Sequence, residues 1–134
     1  MKDEVGVWLK YAEENLQSAR VLLESELHNP CLQNLQQAVE KALKALLVER
    51  TGVVKRTHSI GELKELLSRN GVIIKITDER CDLFDSIYLP SKYPLGSALP
   101  LFEPDAGICQ ECLATADAVV SQTRRILRAS DGKG

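Results

Sequence analysis

Two tyrosines and one lysine stand in a proline-rich stretch, residues 85–106, which reads DSIYLPSKYPLGSALPLFEPDA. A lysine can hold phosphate by its charge, and bases stack on tyrosine rings for about 1–3 kcal/mol each. The stretch therefore predicts a binding edge for a nucleotide or single-stranded RNA, made by Tyr88, Lys92 and Tyr93. The alternative is that the tyrosines pack on the rest of the domain and the prolines only stiffen the loop.

Further candidates for ligand binding are three residues that lie before this stretch in the chain. Lys41 and Lys44 are three positions apart, about one helical turn, and together could clamp a phosphate. Alternatively, the two lysines belong to a solvated helix face, or Glu40 and Lys44 form an ion pair along the helix. His58 could act as a general base, because imidazole exchanges protons near neutral pH, or it could hydrogen-bond the backbone.

The chain has four cysteines, of which Cys109 and Cys112 form a C-x-x-C pair. A structural zinc site needs four ligands, usually from two such pairs, so one isolated pair is weak evidence for a metal. We expect Cys31, Cys81 and this pair to be free thiols in the core, with metal binding at Cys109 and Cys112 as the alternative. No metal and no cofactor are predicted.

Length and composition describe one globular domain of 134 residues, 44% hydrophobic and 27% charged, with a formal net charge of −2. Such mixed charge is not typical of a duplex-DNA-binding protein, which usually carries a basic stripe. No apolar stretch approaches the roughly 20 residues that cross a membrane. The first residues, MKDEVGVWLK, lack the apolar core of a secretory signal, so the expected location is the cytoplasm.

Apolar residues at spacings of three and four predict an all-α, antiparallel bundle of about five helices, with a proline-rich loop before the last helix. The helices are expected at about 3–26, 30–50, 59–69, 77–88 and 104–129. We expect one domain over residues 1–130 and a disordered tail over 131–134.

Local signals refine this plan at two helix starts and one linker. Ser59, followed by Glu62, predicts a capping box for the third helix, and Thr77 predicts a cap for the fourth. Residues 72–76, VIIKI, have the composition of a strand, but no second run could pair with them. We therefore expect this segment to be an extended linker on the core.

The second predicted helix is apolar over an unusually wide arc, which indicates a central position. One side of this arc is rich in alanine, which permits close helix contacts, and the other is rich in leucine. The arc is wider than one layer of five helices readily covers. This predicts a homodimer with twofold symmetry.

Several motifs, in their order along the chain, resemble the HEPN domain family. NPCLQNLQQAVEKALKALLVERTG contains a Glu-Lys-x-x-Lys-Ala run at 40–45, and a Thr-His step follows at Thr57 and His58. Trp8 belongs to a first helix with alanines, as in the family, and residues 88–94 are similar to its Tyr-Pro-x-Arg-Tyr-Pro-like segment. The resemblance covers roughly residues 5–128.

This resemblance implies a helical bundle that dimerises and associates with nucleotides or RNA, often beside a minimal nucleotidyltransferase partner. The RNA-cleaving members use an Arg-(four to six residues)-His motif in the C-terminal half, whereas no histidine follows His58 here. The expected function is therefore a non-catalytic binding module in a toxin–antitoxin-like system. The alternatives are a divergent HEPN ribonuclease, a substrate-presenting subunit of a nucleotidyltransferase, and a partner-binding protein without a ligand. Lys92 stands where the family usually has an arginine. A lysine lacks the guanidinium group that binds a phosphate with two parallel hydrogen bonds.

Overall fold

The computed structural model describes the backbone of residues 3–92 and 103–133, and their side chains except at 89–92, 132 and 133. Five helices are present: α1 (Asp3–Glu24), α2 (His28–Thr51), α3 (Ile60–Arg69), α4 (Asp78–Lys92) and α5 (Ala106–Lys133). The described residues contain no strand, and the predicted all-α fold is confirmed. No helix in this part of the chain has the length and apolar character that crossing a membrane requires.

The helix α2 lies at the centre of the bundle and contacts α1, α3, α4 and α5. Its apolar arc is covered by these four neighbours, and its alanines and leucines are all buried. The single chain thus covers the surface that the sequence assigned to a second subunit. That ground for a dimer is wrong, because α3 and α4 pack on α2 in addition to α1 and α5, and the apolar residues of α2 are buried within the single chain.

The helix α4 runs to Lys92 and includes Pro90, which the sequence analysis placed in a loop. A proline deletes one backbone N–H and crowds the carbonyl four residues before it, so its cost is greatest in a helix interior. Pro90 stands two residues before the end of α4, where only the last turn is affected. Tyr88 consequently lies within α4 and not at its end.

The helix α5 begins later and ends later than predicted. Asp105 caps its first turn by accepting a hydrogen bond from the backbone N–H of Ile108 at 2.9 Å. Pro104 therefore precedes the helix. At the other end, helical backbone continues to Lys133 and so extends into residues 131–134, the segment predicted to be a disordered tail.

The predicted caps of α3 and α4 are present. Ser59 Oγ accepts from the N–H of Glu62 at 3.1 Å, and Thr77 Oγ1 accepts from the N–H of Arg80 at 3.1 Å. The other half of the capping box is not formed as predicted, because the Glu62 carboxylate accepts from Thr57 Oγ1 at 2.8 Å.

The segment 72–76 is an extended linker, as predicted, and a single side chain of α5 holds it. Gln122 accepts from the N–H of Lys75 at 2.9 Å and donates to the carbonyl of Ile73 at 2.9 Å. An amide side chain thereby supplies the two hydrogen bonds that a neighbouring strand would supply. Alternate residues of the segment are buried: Val72, Ile74 and Ile76.

Candidate functional site

A buried carboxylate on α2, that of Glu40, is the centre of a polar cluster in the bundle. Lys44 Nζ lies 3.0 Å from Glu40 Oε2, and Gln36 Nε2 donates to Glu40 Oε1 at 3.1 Å. The three side chains are four residues apart along α2, so they stand on one face, one turn above another. Each residue is 5% exposed or less. The predicted pair of Glu40 and Lys44 forms, but inside the protein.

His58 joins this cluster from the loop before α3. Its Nδ1 lies 3.3 Å from Oε1 and 3.2 Å from Oε2 of Glu40, and its side chain is 49% exposed. Gln36 Nε2 also lies 3.4 Å from the backbone carbonyl of His58, which ties the loop to α2. The Nδ1 of the ring thus bonds a carboxylate, which sets the orientation of the ring. The prediction that the ring hydrogen-bonds the backbone stays a prediction.

Tyr88 on α4 stacks against the other side of the imidazole. The ring centroids of Tyr88 and His58 are 4.7 Å apart and their planes differ by 19°. A cleft of about 260 Å³ opens beside this stacked pair, lined by His58, Ser59, Asp85 and Tyr88. Thus two of the predicted site residues, distant in sequence, meet at one cleft.

Asp85 holds α4 against the N-terminus of α3. Its carboxylate accepts from Ser59 Oγ at 2.9 Å, from the N–H of Ile60 at 2.6 Å and from the N–H of Gly61 at 3.4 Å. An anion is favoured here because the first N–H groups of a helix point outward and carry the positive end of its dipole. Asp85 precedes Tyr88 by three residues on α4, so this contact also places the tyrosine over His58.

The two candidate lysines of α2 face aromatic rings of α1. Lys44 Nζ lies 5.8 Å from the centroid of the Trp8 ring, and Lys41 Nζ lies 5.9 Å from that of Tyr11. Lys41 Nζ also donates to Asn15 Oδ1 at 2.8 Å. This geometry does not favour a phosphate clamp by the pair, because each ammonium group already has a partner within the chain and Lys44 is buried.

The predicted binding edge is described only in part. Tyr88 lies at the cleft, whereas Tyr93 and the side chain of Lys92 lie outside the described residues.

Among residues that sequence reasoning missed, Asp85 and Gln36 matter most. The partners of Asp85 are 24 to 26 positions away in sequence, and the His58 carbonyl is 22 positions from Gln36. No local pattern marks Asp85 as a helix cap.

The four cysteines are buried free thiols, as the core interpretation predicted. Burial raises the pKa of Cys81 to about 11 and that of Cys109 to about 12. Burial likewise raises the pKa of Cys31 and of Cys112. Within the described ranges, no group of three or more histidine, cysteine or acidic side chains could hold a metal ion.

Comparison with known proteins identifies relatives over nearly the whole chain. A model of the HEPN domain matches residues 5–126. A protein of Methanocaldococcus jannaschii named "Putative toxin MJ1304" is 27% identical over 137 residues, which cover 94% of this chain and 90% of that protein.

Two crystal structures resemble the fold described above. One is that of ST0689, an archaeal HEPN homologue, with 27% identity, a TM-score of 0.66, and coverage of 92% of this chain and 97% of that one. The other is TT1696 from Thermus thermophilus, with 25% identity, a TM-score of 0.71, and coverage of 92% and 98%.

Proposed function

Because this chain belongs to the HEPN domain family, we propose that it is a non-catalytic binding module whose ligand site is the cleft beside His58 and Tyr88. The ligand is a nucleotide or single-stranded RNA. The observation that carries this proposal is the placement of His58, with Nδ1 on the buried Glu40 carboxylate and one ring face stacked on Tyr88.

Such an arrangement is better explained by binding than by stability. A buried ion pair seldom stabilises a fold more than apolar side chains of the same volume would, because both charges lose their hydration. Here the buried pair of Glu40 and Lys44 also orients a half-exposed imidazole. Buried charges that orient an exposed polar ring are typical of functional sites.

A second candidate function, a divergent ribonuclease, is favoured by the same contact. A carboxylate that fixes one nitrogen of a histidine is the usual support for a general base. The binding module remains the first choice, because the Arg-(four to six residues)-His motif of the family's nucleases is absent from the sequence.

The partners of the module follow from the family and from one apolar surface. We propose a minimal nucleotidyltransferase as the partner, within a toxin–antitoxin-like system. The name of the relative from Methanocaldococcus jannaschii, a toxin, agrees with such a system.

We also propose a homodimer through α1, where Val7, Tyr11 and Val21 are 48%, 47% and 53% exposed. Their spacing brings all three to one helix face.

The ligand proposal is tested by titrating the protein with nucleoside triphosphates and with short fluorescent RNA. We expect His58→Ala to weaken binding about tenfold. The substitution removes both a polar group that contacts the ligand and a ring on which the ligand stacks. The matched control is His28→Ala, which removes the other histidine. Equal affinity of wild type and His58→Ala, or no binding by the wild type, would contradict the proposal.

The dimer is tested by light scattering at micromolar concentration. We expect a dimer for the wild type and a monomer for Tyr11→Glu, because a buried unpaired charge opposes association. Val54→Glu, at a side chain 40% exposed but on the loop after α2, is the control that should leave the dimer intact. A monomeric wild type would refute this part.

A further inference from the structure

Two buried thiols lie where the first turns of α2 and α5 meet. Cys31 is the fourth residue of α2, Cys109 is the fourth residue of α5, and both are fully buried. The Sγ of Cys109 donates to the backbone carbonyl of His28 at 3.5 Å, which places this thiol on the first turn of α2. His28 and Cys31 are three positions apart and lie on one side of that turn. The thiols of Cys31 and Cys109 consequently contact each other through their side chains.

The other two cysteines have different surroundings. Cys112 lies one turn beyond Cys109 on α5, and its Sγ accepts from Arg80 Nη1 of α4 at 3.7 Å. Cys81 lies on α4, beside Gly61 at the start of α3. A bond between Cys109 and Cys112 would join two turns of one helix and add little to what the helix already holds. A bond between Cys31 and Cys109 would instead join two helices through their first turns.

We propose that Cys31 and Cys109 are a redox-sensitive pair, which forms a disulfide between α2 and α5 when the protein meets a peroxide. This inference is independent of the ligand proposed above. One thiol, as its thiolate, attacks a peroxide oxygen and becomes a sulfenic acid, and the other oxygen leaves as water after protonation. The second thiol then attacks the sulfenic sulfur, the disulfide forms, and a second water leaves. Two thiols and one hydrogen peroxide thus give one disulfide and two waters.

Burial controls how readily this reaction begins. It raises the pKa of Cys31, and it raises the pKa of Cys109 to about 12, so little thiolate is present while both helices are closed. Helix ends open at a lower free-energy cost than helix centres. Both thiols stand in first turns, so opening of one turn exposes the pair without unfolding the bundle. The pair therefore reacts slowly at low temperature and faster as the helix ends open.

The disulfide would close a long loop of the chain, from residue 31 to residue 109. That loop contains α3, α4 and most of α2, and with them the three side chains at the candidate site, Glu40, His58 and Tyr88. A crosslink over a long loop stabilises a fold mainly by restricting the unfolded chain. We expect the oxidised protein to melt on the order of 10 °C above the reduced protein.

The link is tested by peptide mapping of the full chain after treatment with hydrogen peroxide, at room temperature and a few degrees below the melting temperature. Remaining thiols are alkylated in denaturant, and the protein is digested with trypsin without reduction. Cys109 and Cys112 share the tryptic peptide 93–124, so the map is made on both the wild type and Cys112→Ala. We expect the peptide 21–41, which contains Cys31, linked to 93–124 in both proteins, with Cys81 alkylated.

Thermal melts test what the link does. Peroxide should raise the melting temperature of the wild type and of the control Cys81→Ala, and a reducing dithiol should reverse the gain. Cys31→Ala should show no gain, because its Cys109 has lost the thiol opposite.

Four results would overturn the proposal. Absence of the link between peptides 21–41 and 93–124 at both temperatures refutes the pair, and so does a link that disappears in Cys112→Ala. A link without a higher melting temperature refutes its stabilising role. An equal gain in Cys31→Ala shows that another oxidation is responsible. The map of the wild type decides whether the link forms even where a variant folds poorly.

Discussion

Glu40 and Lys44 form an ion pair one turn apart on α2, with 3.0 Å between Oε2 and Nζ and side chains only 5% and 6% exposed. Removal of one member leaves the other charge buried without its partner. We expect Glu40→Leu to lower the free energy of unfolding by about 3–5 kcal/mol, as measured by urea denaturation. An unchanged free energy of unfolding in this variant would show that the Trp8 ring or water alone stabilises the Lys44 charge sufficiently.

The double variant Glu40→Leu/Lys44→Leu isolates the pair. Both buried charges are then gone, and apolar side chains of similar volume take their place. We expect the double variant to regain at least half of the stability lost in Glu40→Leu. His58 remains half-exposed and can be hydrated, so its lost contact should cost little. A double variant less stable than Glu40→Leu would contradict this account.

Asp85 is expected to matter more to stability than a surface acid usually does. Asp85→Ala deprives Ser59 and two N–H groups of α3 of their acceptor and should cost about 2 kcal/mol, the upper range for a helix cap. Asp82→Ala, at an exposed position of the same helix, should be neutral within about 0.5 kcal/mol. Equal effects in thermal melts of the two variants would refute the capping role.

The buried thiols predict a loss of stability in alkaline solution. The pKa of Cys109 is about 12 in the fold against 9.0 ordinarily, so the unfolded chain loses this proton first as pH rises. Its contribution is complete below pH 9 and is lost progressively toward pH 12. We expect Cys109→Ala to melt with a shallower alkaline decline than the wild type, whereas the control Val119→Ala should keep the wild-type slope.

Thr123 is fully buried, and within the described residues its hydroxyl has no hydrogen-bond partner. Because an unsatisfied buried hydroxyl is costly, Thr123→Val should raise the free energy of unfolding by about 1 kcal/mol. Thr115→Val is the control on the same helix, since the Thr115 hydroxyl donates to the carbonyl of Glu111 at 3.2 Å. A gain in the control but none in Thr123→Val would show that another group satisfies Thr123.

The purified protein is expected not to cleave RNA, because the chain lacks a histidine in its C-terminal half. Incubation with end-labelled RNA and gel analysis checks this. Cleavage that disappears in His58→Asn would identify the second candidate function, a ribonuclease centred on His58. Cleavage that persists in that variant would point to a site elsewhere or to a contaminating nuclease.

Local patterns in the sequence were enough to predict the five helices, the caps at Ser59 and Thr77, and the extended segment 72–76. These features depend on contacts between residues three or four positions apart, or on the absence of a partner strand, and both can be read from spacing. Helix ends were less predictable, as Pro90 demonstrates, because one lost hydrogen bond in a last turn is easily offset by packing.

The candidate site, by contrast, depends on how the helices pack. His58 meets Glu40 across 18 positions, and Ile60 meets Asp85 across 25. Such contacts follow from which helices pack together, and that choice is made by burial summed over the whole chain, not by any local pattern. The same summation buried most of α2 and placed the Glu40 carboxylate inside the bundle. The sequence could therefore name His58 and Tyr88 as candidates, but not bring them together at one cleft.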